Sequence, residues 1–176
     1  MRRKLLFAFV SCMLLSTAQM FPQRTGAAID WSPWKYYIGD WVGEGGGKPG
    51  QGSGGFSFYT DLQNSVLVRK NHSDFPATQK NPAYTHDDLM LIYPEKGEWC
   101  ADYFDNEKHV IHYGVSSSSD STKLIFCTRS KSGSPDFRLT YTRLTEDKVN
   151  ILFEYAPPAE QVKFIPYIEA FAIRKR

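Results

Sequence analysis

The chain contains only three cysteines in 176 residues, none of them in a CxxC pair, and it has no HExxH. The common zinc signatures are therefore excluded. It has no apolar run long enough to cross a bilayer as a helix; the longest, Leu5 to Leu15, falls well short of the ~20 residues required. Long stretches with helical periodicity are missing too, and so is a lasting charge excess. Lys and Arg number 21 against 19 Asp and Glu, but three of the basic residues, Arg2, Arg3 and Lys4, stand at the extreme N-terminus. Without them the balance is 18 against 19, which leaves no electrostatic footprint for nucleic acid.

That basic start, the short apolar run after it and the small residues Ser16 and Ala18 together read as a secretory signal peptide over 1–18. Cleavage is expected after Ala18, or near Ala27 and Ala28 as a second choice. A lipoprotein anchor at Cys12 fits less well, because Phe9 is bulky and apolar residues continue beyond the cysteine. The reading implies a secreted or periplasmic protein with a flexible segment over 19–29 and one domain over 30–176. The remaining cysteines, Cys100 and Cys127, lie on strands separated by one other strand. An oxidising compartment permits a bridge, and barrel curvature decides whether they meet.

What the chain does have is glycine at every second position around a tryptophan: Gly39, Trp41, Gly43, Gly45 and Gly47. Side chains alternate between the faces of a strand, so such a ladder leaves one face bare for another backbone or a ring. Before it, Ser32 and Pro33 form an N-cap and first-turn pair, predicting one or two turns of helix over the WKYYI segment that stops at Gly39. After it, short alternating runs predict strands over 40–46, 55–61, 64–71, 87–94, 97–104, 108–115, 121–128, 137–143, 148–155 and 164–174. Tight turns at Pro94 to Gly97, Asp105 to Glu107, Ser116 to Ser119, Gly133 to Pro135 and Glu146 to Lys148 make successive strands antiparallel. The fold expected is all-β: a ten-stranded antiparallel up-and-down β-barrel with a short N-terminal helix, closed so that no edge is exposed.

Within that meander Gly39-Asp40-Trp41 resembles the GxW of lipocalins and other calycins, in which a basic residue from the last strand covers the tryptophan at one barrel end. Arg174 is suitably placed for that role, making Gly39, Trp41 and Arg174 the expected closure. The longer pattern resembles the GxWxGxGxG of nitrobindin and its relatives, ten-stranded barrels several of which bind haem. The resemblance covers nearly the whole mature chain by length and strand count, and specific residues only at its ends. Haem-binding relatives carry a histidine near the C-terminus, whereas here the last is His112 and the final strand offers only Tyr167. With Arg174 inward, strict alternation turns Tyr167 outward unless a bulge intervenes, so no haem is expected.

Other motifs dissolve on inspection. Gly50, Gly52 and Gly55 satisfy GxGxxG, but a strand follows where a dinucleotide site needs a helix, and Pro49 after Lys48 rules out a P-loop. The glycines from 43 to 55 read instead as a strand running into a loop that can serve as a lid. His109 and His112, three apart on a strand, face opposite sides and cannot chelate one metal; one packed and one exposed is the expectation. His86, Asp87 and Asp88 read as a solvated turn ahead of a strand, with a metal or acid/base cluster at the barrel mouth as the sharper alternative. Asn71-His72-Ser73 is a glycosylation sequon, relevant only in a eukaryotic host.

Alternation places Phe58, Trp99, Tyr103, Tyr141 and Phe153 in the lumen as candidate ligand contacts. The function expected is a monomeric exported barrel that binds a small, largely apolar ligand, with no nucleic acid and no transmembrane segment. Two alternatives come from other classes. One is an isomerase-like enzyme with Tyr113 or Tyr141 as proton donor near Arg143, and the other is a filled barrel with an interaction role in the envelope.

Overall fold

The computed structural model describes residues 28–45, 52–128, 133–158 and 162–176. The signal peptide, all but the last two residues of the 19–29 segment, Gly47 and most of the glycine loop read as a lid lie outside the described residues. Ten strands form: β1 Gly39–Gly43, β2 Ser53–Asp61, β3 Val66–Phe75, β4 Tyr84–Glu95, β5 Glu98–Asp105, β6 Val110–Ser117, β7 Lys123–Thr128, β8 Asp136–Arg143, β9 Lys148–Ala156 and β10 Ile165–Arg174. Each pairs antiparallel with its sequence neighbour, and β10 returns to β1 to close the barrel. This is the architecture that the calycin resemblance implies, and all ten expected strands are present.

Closure rests on a short seam, with Trp41 opposite Arg174, Val42 opposite Ile173 and Gly43 opposite Ala172. Backbone bonds extend it at both ends, from Glu44 N–H to the Phe171 carbonyl at 2.8 Å and from Lys175 N–H to the Asp40 carbonyl at 2.8 Å. The Arg174 guanidinium lies 4.4 Å from the centre of the Trp41 ring and donates to the carbonyls of Ile38 and Tyr36. Gly39 adopts φ +120°, a left-handed conformation that glycine tolerates, and a Cβ there would stand 3.2 Å from Arg174 Nη1. Gly45 shows what the ladder permits: a Cβ on it would lie 1.9 Å from the Gly52 carbonyl oxygen, so backbone occupies the space.

The helix expected over WKYYI does not form, and its place is taken by a single 3-10 turn, Ser32–Trp34. The Asp30 carboxylate accepts from both the Ser32 amide and its hydroxyl, at 2.9 Å each, so the serine lies inside the turn and is not its cap. One hydrogen-bonded turn follows, with the Tyr37 and Ile38 amides donating to the Trp34 carbonyl at 2.8 and 3.2 Å, and side-chain packing explains why it does not extend into a helix. Trp34 is buried against Trp99 and Phe126, with ring centres at 5.5 and 6.1 Å. Trp31 Nε1 donates to the Asn64 carbonyl, the Tyr36 hydroxyl to the Lys148 and Thr145 carbonyls, and the Tyr37 hydroxyl to the Tyr141 carbonyl at 3.4 Å. The segment is thus a plug tied to three hairpins, filling the barrel end where Trp41 and Arg174 also sit.

Cys100 and Cys127 are free thiols. Each pairs with Gly114 from an opposite side, so they stand two strand spacings apart, roughly 10 Å, beyond the ~7 Å a disulfide tolerates.

Trp41→Ala removes a fully buried ring and is expected to cost ~3 to 5 kcal/mol, whereas Arg174→Ala is expected to cost about 2 kcal/mol. Denaturant melts of both singles and the double should show a double mutant less destabilised than the sum, because the contact between guanidinium and indole is already lost in either single. Strict additivity would mean that the two do not act as one closure.

Candidate functional site

The barrel interior has two halves. Toward the plug it is packed solid by Trp34, Tyr37, Trp41, Phe58, Leu67, Ile92, Phe126 and Val149, all buried. Toward the opposite end, where β2, β4, β6, β8 and β10 begin, one wall is polar and the facing wall aromatic.

Register builds the polar wall. The turn at Leu62 to Ser65 sets Phe58 opposite Arg69, and the β3–β4 pairing sets Arg69 opposite Met90 and Asn71 opposite Asp88. Phe58 and Met90 are core residues, so Arg69 points inward with them. It is 6% exposed and forms an ion pair with Asp88, itself 7% exposed. The guanidinium lies 5.7 Å from the Phe56 ring centre and 5.9 Å from that of Tyr141. Burial by itself lowers an arginine pKa, but the Asp88 carboxylate and the oxygens of Tyr141, Tyr103 and Tyr113 outweigh it, and Arg69 stays charged.

From Asp88 a hydrogen-bonded line runs to the rim. His86 Nε2 lies 3.4 Å from Asp88 Oδ2 and 3.1 Å from the Tyr103 hydroxyl, while Nδ1 lies 3.0 Å from Glu107 Oε1. The Tyr103 hydroxyl donates to Asp105, whose carboxylate accepts from the His109 amide and ring at 2.8 Å each. The Asp88 carboxylate, with help from Glu107 and against partial burial, raises the His86 pKa to about 9. His86 is therefore an imidazolium at neutral pH. Burial raises Tyr103, Tyr113 and Tyr141, the last to about 12, so all three hydroxyls keep their protons.

The aromatic wall comes from β8, β9 and β10. Phe137 stacks on Phe153 at 5.9 Å and 11°, and both rings are half-buried. The β9–β10 register shifts between Pro166 and Ile168, which breaks the alternation that would turn Tyr167 outward. The Tyr167 ring packs 6.2 Å from both Phe153 and Tyr155, on the lumen side of the sheet, while remaining 69% exposed. The expectation of an outward Tyr167 is corrected by that irregularity.

Of the residues assigned to the lumen, Phe58 and Tyr141 lie deep, Tyr103 belongs to the polar wall and Phe153 to the aromatic one. Trp99 packs 5.1 Å from Trp31 and 5.5 Å from Trp34, at the plugged end, in the half of the interior that also holds Phe58. Gly39, Trp41 and Arg174 meet as expected. Arg143 stacks 4.7 Å over Tyr36 at the plugged end, so the arginine beside Tyr141 and Tyr113 is Arg69.

His86 and Asp88 are also corrected: they are strand residues facing inward and not part of a solvated turn, because β4 begins at Tyr84, three residues before the expected start. Asp87 faces out and bonds His72 at 2.7 Å. His109 and His112 are both exposed, each paired with an aspartate, Asp105 and Asp102 respectively, so neither is packed. Asn71 of the sequon lies on β3 beside the Asp88 pairing position, bonded to Ser73. Arg69, the centre of the polar wall, went unread because Val66, Leu67 and Val68 precede it without alternation. Counting pairs back from the β2–β3 turn was the signal that finds it.

Two clefts open at the rim, about 310 Å³ against the Phe75–Tyr84 stack and about 450 Å³ bounded by Lys70, Leu89, Phe104 and Asn106. Among the described residues no helix is long and apolar enough to cross a membrane, and no group of three or more His, Cys, Asp or Glu suits a metal ion. The chain matches no family model and no curated protein.

A site that raises the His86 pKa stabilises the fold fully below the unfolded value of 6.5, and that contribution is lost as pH climbs through about 9. Stability is therefore expected to fall between pH 6.5 and 9, and His86→Gln to remove most of that fall, in melts run across the range. An unchanged slope in the variant would show that His86 is not held as an imidazolium.

Proposed function

We propose that this protein is an exported calycin-like barrel, related to the non-haem side of the nitrobindin-like group, that holds a small, largely apolar molecule in the open half of its interior. The observation that carries the reading is the pair of facing walls. Half-buried rings, Phe137 and Phe153 with Tyr167 and Ile168 beside them, stand opposite a few convergent polar groups, Arg69, Asp88, His86 and Tyr103. A mostly apolar concavity with a small number of fixed polar groups is the usual chemistry of a small-molecule site. The solid plugged half holds the frame while the open half supplies the surface. The basic start and short apolar run support export, the near-neutral charge supports a partner other than nucleic acid, and the closure of the ten described strands into a barrel supports a monomer.

Haem, which the family resemblance raises, does not fit these residues. His72, His109 and His112 are exposed and paired with aspartates, and His86 engages both ring nitrogens as an imidazolium, which has no lone pair for iron. Tyr167 is largely in solvent.

Titration with the apolar fluorophore N-phenyl-1-naphthylamine is expected to give saturable enhancement at one site. Phe153→Arg should weaken it at least tenfold in a protein that still melts cooperatively, because the ring is only partly buried at the edge of the core. Unaltered binding in that variant would move the site elsewhere and overturn the reading. Hemin added to the same protein is expected to give no saturable Soret band; a band at one haem per chain, lost in Tyr167→Phe, would reverse the cofactor reading.

A further inference from the structure

The smaller rim cleft, about 310 Å³, shares no lining residue with the two lumen walls and offers a different chemistry. It sits at the end of the β3–β4 ladder, where the last two cross-strand pairs are Asp74 opposite Thr85 and Phe75 opposite Tyr84. Directly opposed aromatic residues on one face of a sheet stand close enough to stack, and these two do, 4.6 Å apart and 8° from parallel. Gly52 makes room for the first ring. A Cβ at that position would stand 2.7 Å from Phe75 Cε1, in space that the Phe75 ring occupies. Tyr84 lies on Phe75 with one face covered, is 51% exposed, and carries no second ring among the described residues. The result is a flat aromatic face, half open to solvent and supported from behind.

Asp74 supplies the charge beside it. Every other residue that lines the cleft is uncharged: the two rings, Pro76, Ala83 and the hydroxyl-bearing Ser53 and Thr85. The Thr85 hydroxyl donates to Asp74 Oδ1 at 2.7 Å and His72 Nε2 lies 3.1 Å from Oδ2, which fixes the carboxylate and leaves each oxygen able to accept again. The same two partners hold its pKa below the usual carboxylate value, so it is ionised at neutral pH. His72 does not cancel the local charge, because Asp87 engages its other ring nitrogen at 2.7 Å and two carboxylates stand against one imidazole. A tyrosine face attracts positive charge, and a parallel stack accepts a further flat ring. An anion would meet Asp74. A neutral ring gains the stacking and forgoes the charge.

We propose that this cleft is a binding site for a small planar aromatic cation, an alkylated pyridinium or a comparable heterocycle, which stacks on the free face of Tyr84 with its positive charge beside Asp74. Phe75 positions the platform. The site uses none of the lumen contacts, so it stands or falls independently of the apolar-ligand reading.

The test uses three probes of one shape and three charges, 1-methylnicotinamide, 3-methylbenzamide and 3-methylbenzoate, each titrated against the full chain by proton NMR at low salt. The cation is expected to bind about fivefold more tightly than the neutral amide, with the anion weakest, and its ring protons to move upfield in the ring current of Tyr84. Added salt should erode the preference for the cation. Tyr84→Leu keeps an apolar side chain without the ring, and should weaken the cation about fivefold and abolish the upfield shift. Asp74→Asn keeps the shape and an acceptor for Thr85. It should bring cation and neutral amide within about twofold of each other while the upfield shift remains. Equal affinity of the wild-type protein for cation and neutral amide would overturn the charge assignment, and tightest binding of the benzoate would reverse it. An upfield shift that survives in Tyr84→Leu would place the probe elsewhere and overturn the site. No shift with any of the three would show that the platform takes no ring. Should Tyr84→Leu not fold, Asp74→Asn decides, since a carboxylate with no part in holding the cation would leave the preference intact.

Discussion

Everything in this molecule depends on the seam between β1 and β10. A ten-stranded sheet left open has two unpaired edges, and here one is only five residues long. The seam holds because backbone bonds, the Trp41–Arg174 contact and the plug coincide at one end. Arg174 covers the indole and ties down the carbonyls of Tyr36 and Ile38, while Trp41 Nε1 donates to the Tyr37 carbonyl at 2.9 Å. The residues that close the sheet are therefore the residues that fix the plug. Neither is a separate module.

Closing one end solidly allows the other to be imperfectly packed. Rings fill the lower interior edge to face around Tyr141, with Phe56, Phe58 and Phe126 at 5.5 to 6.0 Å. Above them the barrel buries an ion pair, an arrangement that contributes little net stability, since well-packed apolar side chains of similar volume serve as well. The Arg69–Asp88 pair and its line of hydrogen bonds to the rim therefore make sense as chemistry held by the frame. The same wall joins charged groups of both signs, Arg69 and His86 with Asp88 and Glu107.

Strand existence was legible because each strand carries its own period-two pattern and its own turn residues, as Val149, Ile151, Phe153 and Tyr155 show on β9. The closure was legible because Gly39 and Trp41 share a two-residue spacing and Arg174 ends the last strand. The two facing walls were not, for three physical reasons. The run from Val66 to Val68 hides the face of Arg69; β4 starts at Tyr84, before its alternation becomes visible; and the irregularity near Tyr167 depends on pairing with β9.

The sequence alone thus determined the class of fold, the number and direction of strands, and the tryptophan-arginine closure, because these follow from local periodicity and turn chemistry. Only the tertiary structure decided which inward residues meet. Arg69, Asp88, His86 and Tyr141 lie on three different strands, and their convergence depends on cross-strand register and barrel curvature. The tertiary structure also decided that WSPWKYY would be a plug and not a helix. Hydrogen bonds to hairpins 33 and 112 residues away, from Trp31 to Asn64 and from Tyr36 to Lys148, hold that segment, and no local propensity encodes them.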